Sequence, residues 1–252
     1  FVLSEILADP SVTGAAMTAA MLLLLVGAFT KSAQYPFHAW LPGAMAAPTP
    51  VSAYLHSATM VTAGVFLVAR FAPMYAATEL WRPVVLTTGC ATLIFGGLRA
   101  LRQHDLKLLL AFGTVSQLGL LMVLFGAGTP ATAAAGWMLL VAHALFKATL
   151  FMVVGIIDHQ TGTRDIRVLP PLRRGWLAVE IIAIVAAASM AGIPLDAGFV
   201  AKELAYDSLG DAAFGGSTLV LVATVLGSML TVAYTARFYW GAFLEPRRRT
   251  RA

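Results

Sequence analysis

His143 and Lys147 stand four residues apart in AHALFKATLF, so a helix there carries two titratable nitrogens on one face. Two bases meeting inside an apolar run form the most specific local signal in the chain. They belong to a wider pattern. The chain has four lysines: Lys31 in GAFTKSAQ, Lys107 in DLKLLLAF, Lys147, and Lys202 in GFVAKELAY. Each lies within or beside a strongly apolar stretch, whereas the 13 arginines gather almost entirely in connecting segments. A cation at the centre of a bilayer costs about 2.5–3.5 kcal/mol on insertion scales. Four such placements point to charge being handled inside a membrane, with a proton or cation pathway as the leading reading.

Other polar residues extend the pattern. His56, in AYLHSATM, is expected two turns into a span, where imidazole relays a proton through either ring nitrogen. Ser52 and Thr59 are expected one turn away on the same face, able to hold water. A structurally hydrogen-bonded histidine is the alternative. Lys31 is expected near the end of a span; a desolvated amine exchanges its proton readily, and snorkelling to the interface is the alternative. Lys107 follows Asp105 closely, so an interfacial anchor is open to it, while Thr114, Ser116 and Gln117 extend a polar wire along the same helix. Lys202 and Glu203 are adjacent and point in different directions. His38, His104 and His159 fall near boundaries or in loops and suggest no metal site. Cys90, the single cysteine, sits in VVLTTGCATLIF and offers neither an internal disulfide nor a metal cluster. No HExxH, CxxC, P-loop or GxSxG pattern occurs.

These groups need elements to hold them at depth. Hydrophobic residues make up 59% of the chain and charged residues 12%, with a mean hydropathy of +0.82. Soluble domains are nearer one quarter charged, so the chain is predicted to be an all-α, polytopic transmembrane bundle. Its basic residues punctuate the ends of apolar runs instead of forming one interleaved face, which excludes nucleic-acid binding. About 20 apolar residues cross a bilayer as a helix. Seven spans are expected, over about 11–34, 50–71, 83–101, 106–126, 131–157, 176–209 and 217–243. Two of them are expected to be discontinuous. Pro36, Pro42, Pro48 and Pro50 in YPFHAWLPGAMAAPTP should break helix after the first span, and Gly192 and Pro194 in AGIPLDAG should cut the sixth. Broken backbone at membrane depth survives only beside protein or a water-filled cavity, where half-helix ends gather around an ion.

Charge asymmetry sets an expected orientation. With the first span starting outside, the cytoplasmic side would hold Arg99, Arg102, Arg164, Arg167, Arg173, Arg174, Arg247, Arg248, Arg249 and Arg251. The outer loops would hold only Arg70 and Arg82 with Asp207 and Asp211, which places the C-terminus in the cytoplasm. The chain begins at Phe1 without a visible signal peptide and is expected to be a piece of a longer protein.

GAFTKSAQYPFHAWLPGAMAAPTPVSAYLHSATM (27–60), DLKLLLAFGTVSQLG (105–119), HALFKATLF (143–151) and AGIPLDAGFVAKE (191–203) resemble, in order and spacing, the antiporter-like membrane subunits of respiratory complex I and of Mrp-type cation/proton antiporters. SAYLHSATM and DHQTGTRDI (158–166) are most similar to the A-type subunit of the Mrp antiporters. One departure is Thr62 in MVTAG, where Mrp subunits often carry lysine. The resemblance implies inverted helical repeats whose discontinuous helices mark two half-channels. It implies that Lys31 is a central lysine, His56 and Lys107 connecting relay positions, His143 and Lys147 central-axis groups, and Lys202 the terminal lysine. Thr59, Ser116, Gln117 and Glu203 are expected to support them, on their own polarity and placement. Residues 1–252 would then form part of one transmembrane antiporter-like domain in the cell's inner (plasma) membrane. Helices upstream of Lys31, including a glutamate partner for it, would lie outside the chain, so the fragment alone is not expected to transport. The implied partners are other membrane subunits, lipid, protons and Na+; neither form calls for a cofactor here. The implied function is proton translocation coupled to cation exchange, with quinone-driven pumping and a transport-inactive scaffold as alternatives.

Overall fold

The computed structural model describes residues 14–57, 59–170, 172 and 175–244. Helices account for nearly all of these: α1 Ala15–Lys31, α2 Trp40–Gly43, a 3-10 turn Ala44–Ala46, α3 Thr49–Ser57, α4 Ala63–Tyr75, α5 Trp81–Leu101, α6 Leu106–Gly126, α7 Pro130–Thr161, α8 Leu177–Ala191, α9 Ala197–Gly210 and α10 Ser217–Tyr239, which runs into a π turn, Trp240–Leu244. Four segments are long and apolar enough to cross a membrane: α5, α6, α7 and Ser217–Leu244. The described residues include no strand, only one isolated bridge.

The core is organised around α6, in which every residue except Leu108 is buried. Its close partner is α5, and small residues allow the approach. A β-carbon on Gly96 would lie 2.5 Å from the Ser116 amide nitrogen, and one on Gly119 would lie 2.5 Å from that of Leu93. Larger side chains there would force the two backbones apart. The 32-residue α7 measures about 48 Å at 1.5 Å per residue, longer than the hydrocarbon core it must cross. Asp158 and His159 lie in its closing turn.

The expected sixth span is two helices. α8 ends at Gly192, which adopts φ 82° as the left-handed residue that closes a helix. Leu195 shares the positive φ (86°), and Asp196 then caps α9 by accepting from the amides of Gly198 (2.8 Å) and Phe199 (3.1 Å). Asp196→Ala should cost about 1 kcal/mol, the usual value of a helix cap. Thermal unfolding of the full-length protein checks this.

Two expectations about the first half are corrected. Residues 50–71 do not form one continuous helix: α3 stops at Ser57 and α4 starts at Ala63. The cause is tertiary. The Ser32 hydroxyl donates to the Val61 carbonyl (2.7 Å) and accepts from the Val65 amide (2.9 Å), replacing helical partners across the interruption. Nor do all four prolines break helix. Pro36 and Pro48 lie between helices, but Pro42 and Pro50 sit in the opening turns of α2 and α3, where a missing N–H costs nothing.

At one end of the bundle, 163–168 clips onto the start of α6. The amide of Leu106 donates to the Arg164 carbonyl (3.0 Å), that of Ile166 to His104 (2.9 Å), and Arg164 pairs with Asp105 at 2.5 Å. The neighbouring Asp165 carboxyl is held down at about 2, chiefly by the side-chain hydrogen bond from Arg167. A depressed carboxylate adds stability above its unfolded value of 3.8, and that contribution is lost as pH falls toward 2. Hydrogen exchange at the Arg167 amide, which donates to Asp165 (2.9 Å), should therefore show protection unchanged from pH 5 to 8 and lost progressively as pH falls from 3.8 toward about 2.

Candidate functional site

α3 and α7 pack together and bring His56, His143 and Lys147 into one buried group, with residual exposures of 1%, 0% and 0%. His56 lies 5.6 Å from the Phe151 ring, and His143 meets Phe146 edge-on at 5.3 Å. Both imidazoles are thus held by aromatic contact. The His143 ring reaches the His56 backbone, and no ring nitrogen of either histidine has a hydrogen-bond partner of full geometry. Buried polar atoms are normally satisfied; each neutral ring has one N–H and one lone-pair nitrogen, so each can take one proton or hold water. His56 lies within electrostatic reach of both Lys147 and Lys107. A charge arriving on one of these groups is therefore felt by its neighbours through poorly screened surroundings.

The Lys147 ammonium donates to the Leu110 carbonyl at 3.1 Å, an oxygen that also accepts from the Thr114 hydroxyl at 2.9 Å. Gly113 makes room for it: a β-carbon there would sit 3.1 Å from Lys147 Nζ and 3.0 Å from Tyr234 Cε2. The amine meets only neutral acceptors.

Lys107 and Lys202 share a different geometry. Each is buried, and each ammonium sits on carbonyls where the chain leaves a helical turn. Lys107 donates to Met45 (2.9 Å) and closely to Ala47, at the end of the 3-10 turn. Lys202 donates to Met190 (3.0 Å) and Ala191 (2.8 Å), the last carbonyls of α8. These are the partially negative helix ends at which a cation is favoured. A β-carbon on Gly192 would meet Lys202 Cδ at 2.8 Å, so glycine both turns the chain and admits the lysine. Lys202 also lines a cavity of about 290 Å³ with Glu203, Tyr206 and Ser228.

Lys31 stands apart. It is exposed in the last turn of α1, whereas the other three lysines are buried. Among the supporting residues, Thr59 lies past the end of α3 and donates to the Tyr54 carbonyl (2.7 Å), so it does not share a helical face with His56. Ser52 is buried and bonds back to Pro48. Ser116 donates to the Leu93 carbonyl (2.8 Å), tying α6 to α5 instead of extending a wire from Lys107. Gln117 does enter a polar network: its Nε2 donates to the Thr231 hydroxyl (3.1 Å) and the Tyr234 hydroxyl (3.3 Å) on α10. Glu203 is exposed. Thr224, Ser228, Thr231 and Thr235 are all buried on α10. In sequence that helix reads as a plain apolar run, although their spacing of four, three and four residues marks one face.

No group of three or more His, Cys, Asp or Glu converges to hold a metal ion among the described residues. Of the arginines that set the expected orientation, Arg173, Arg174, Arg247, Arg248, Arg249 and Arg251 lie outside the described residues.

A family model described as "NADH:quinone oxidoreductase/Mrp antiporter, TM" matches residues 3–231. The chain is 46% identical, over 89% of its length, to the A-type subunit of the Na(+)/H(+) antiporter of Alkalihalophilus pseudofirmus, covering 30% of that protein. It is 49% identical, over 75% of its length, to the corresponding Na(+)/H(+) antiporter protein of Bacillus subtilis, covering 25% of it. It aligns over 97% of its length with 27% of a chain in the structure of the Mrp complex from Dietzia sp. DQ12-45-1b, with a TM-score of 0.91 and 47% identity. The chain spans less than a third of the length of the curated relatives it matches.

Proposed function

We propose, because the chain belongs to the NADH:quinone oxidoreductase/Mrp antiporter membrane family, that it forms part of the proton-translocating subunit of a multisubunit Na+/H+ antiporter. Protons pass among Lys107, His56, His143, Lys147 and Lys202, and Lys31 joins them through contacts made by the rest of the subunit. The observation that carries this reading is the buried group of two imidazoles, with no ring hydrogen bond of full geometry, and one amine at the α3–α7 contact. These groups have the chemistry to accept and return protons.

Residues 1–252 are part of a single transmembrane antiporter-like domain in the cell membrane, with the C-terminal arginines on the cytoplasmic side. The partners are the other membrane subunits of such an assembly. The Na(+)/H(+) antiporter names among the relatives favour sodium-coupled exchange over quinone-driven pumping.

The test is the full-length protein in its complete assembly, reconstituted in vesicles containing a pH-sensitive dye. An inward sodium gradient should drive proton efflux without any redox substrate. Proton movement that ignores sodium and follows quinone reduction would contradict the reading.

A further inference from the structure

Between Lys147 and the cavity at Lys202 lies a row of buried polar side chains that the relay described above does not use. We infer that Tyr234, Gln117, Thr231 and Ser228 form the proton passage joining the two lysines, with the Tyr234 hydroxyl as its first carrier and the Gln117 amide positioning the hydroxyls. This rests on the relay reading and goes further by naming the connection.

The passage starts at Gly113, beside which the Lys147 ammonium and the Tyr234 ring lie together. The Tyr234 hydroxyl is oriented from two sides: it accepts from Gln117 Nε2 at 3.3 Å and approaches the Gly113 carbonyl at 3.5 Å. Gln117 Nε2 reaches Thr231 as well, so one amide spans two hydroxyls of α10. Ser228 lies three residues before Thr231 on the same helical face and lines the Lys202 cavity. The row therefore begins at one lysine and ends at the other.

Two atoms in this row indicate what completes it. Gln117 Oε1 and Ser228 Oγ are buried and have no hydrogen-bond partner. Each requires a donor, and water supplies one where a site is polar and roomy. For Ser228, which lines it beside Lys202, the cavity of about 290 Å³ has ample space. A hydroxyl receives a proton on a lone pair as its own proton leaves toward the next acceptor, so no charge remains on it. Tyrosine, threonine and serine all have this dual capacity. The Gln117 amide does not titrate in this scheme; it fixes the directions of the hydroxyls.

The test uses the full-length protein in its complete assembly, in vesicles, with proton flux measured in H2O and D2O. Tyr234→Phe keeps the ring and removes the hydroxyl. It should lower flux roughly threefold to tenfold, the weight of one hydrogen bond, and raise the H2O/D2O flux ratio while assembly stays intact. Ser228→Ala should do the same, and Ser228→Thr should restore the rate. A purely structural role would not move the isotope ratio. If both deletions retain wild-type flux and isotope ratio while Lys147→Ala is inactive, the passage is refuted and the relay stands. If Lys147→Ala itself transports normally, the relay falls and takes the passage with it. Should Tyr234→Phe fail to assemble, the Ser228 pair decides alone.

Discussion

Lys147→Ala in the full-length protein should reduce sodium-driven proton flux by about 100-fold or more, the scale on which a positioned acid–base group contributes. The reason is its place between the other groups of the proposed relay. His143 shares its helix face, His56 lies within its electrostatic reach, and Tyr234 flanks it across Gly113. Lys147→Arg should fail almost as badly, because guanidinium does not give up its proton and is too broad for the space beside Gly113. Structural loss is not the expected cause. Alanine removes one hydrogen bond to Leu110, whose carbonyl keeps the Thr114 hydroxyl as a partner. The variant should assemble normally and bind its partner subunits. Flux measured beside the yield of intact assembly separates the two effects.

Gly198→Ala should be the most damaging single methyl addition at the α8–α9 break. In an ordinary helix the change is favourable, by about 1 kcal/mol. Here the new β-carbon would lie 1.9 Å from the Ser189 carbonyl oxygen and 2.7 Å from its carbon. Both are backbone atoms of α8, so neither yields by changing rotamer. Overpacking of this kind costs about 1–3 kcal/mol and outweighs the propensity gain. Lys202 stands one turn beyond Gly198, so pushing α9 away draws its ammonium off Met190 and Ala191. A melting temperature lower by a few degrees, with lost flux, is the expected result. Gly210→Ala, at the far end of the same helix, meets nothing within 4 Å and should keep both.

Much of this arrangement is legible in the residues, for reasons that are local. The pairing of His143 with Lys147 follows from four-residue spacing inside a long apolar run. The break between α8 and α9 follows from a glycine closing one helix and an aspartate capping the next, with Pro194 between. The interruption between α3 and α4 is different. Residues 57–62 contain neither glycine nor proline, and the break depends on the Ser32 hydroxyl arriving from the end of α1. Nothing near 57–62 announces it. Prolines mislead for a related reason: Pro42 and Pro50 look like breakers in sequence and act as helix starters in the structure.

The polar face of α10 is hidden by its own hydrogen bonds. Thr224, Thr231 and Thr235 each donate to a carbonyl one turn back, as isolated threonines in apolar helices generally do. What distinguishes the row is Gln117, 114 residues away from Thr231 in the chain. Similarly, the burial of Lys107 and Lys202 is readable from apolar flanks, but their carbonyl partners are not. Those come from Met45 and Ala47 for the first and from α8 for the second.

On the proposed relay, the buried amines move protons and do not merely fasten helices together. Nitrogen-15 NMR of lysine-labelled full-length protein in vesicles, with the Lys147 Nζ signal assigned by its absence in Lys147→Arg, tests this directly. Under an imposed sodium gradient the signal should alternate between ammonium and amine as protons cross. A signal that stays in one protonation state throughout active exchange, with Leu110 as its constant partner, would contradict the relay.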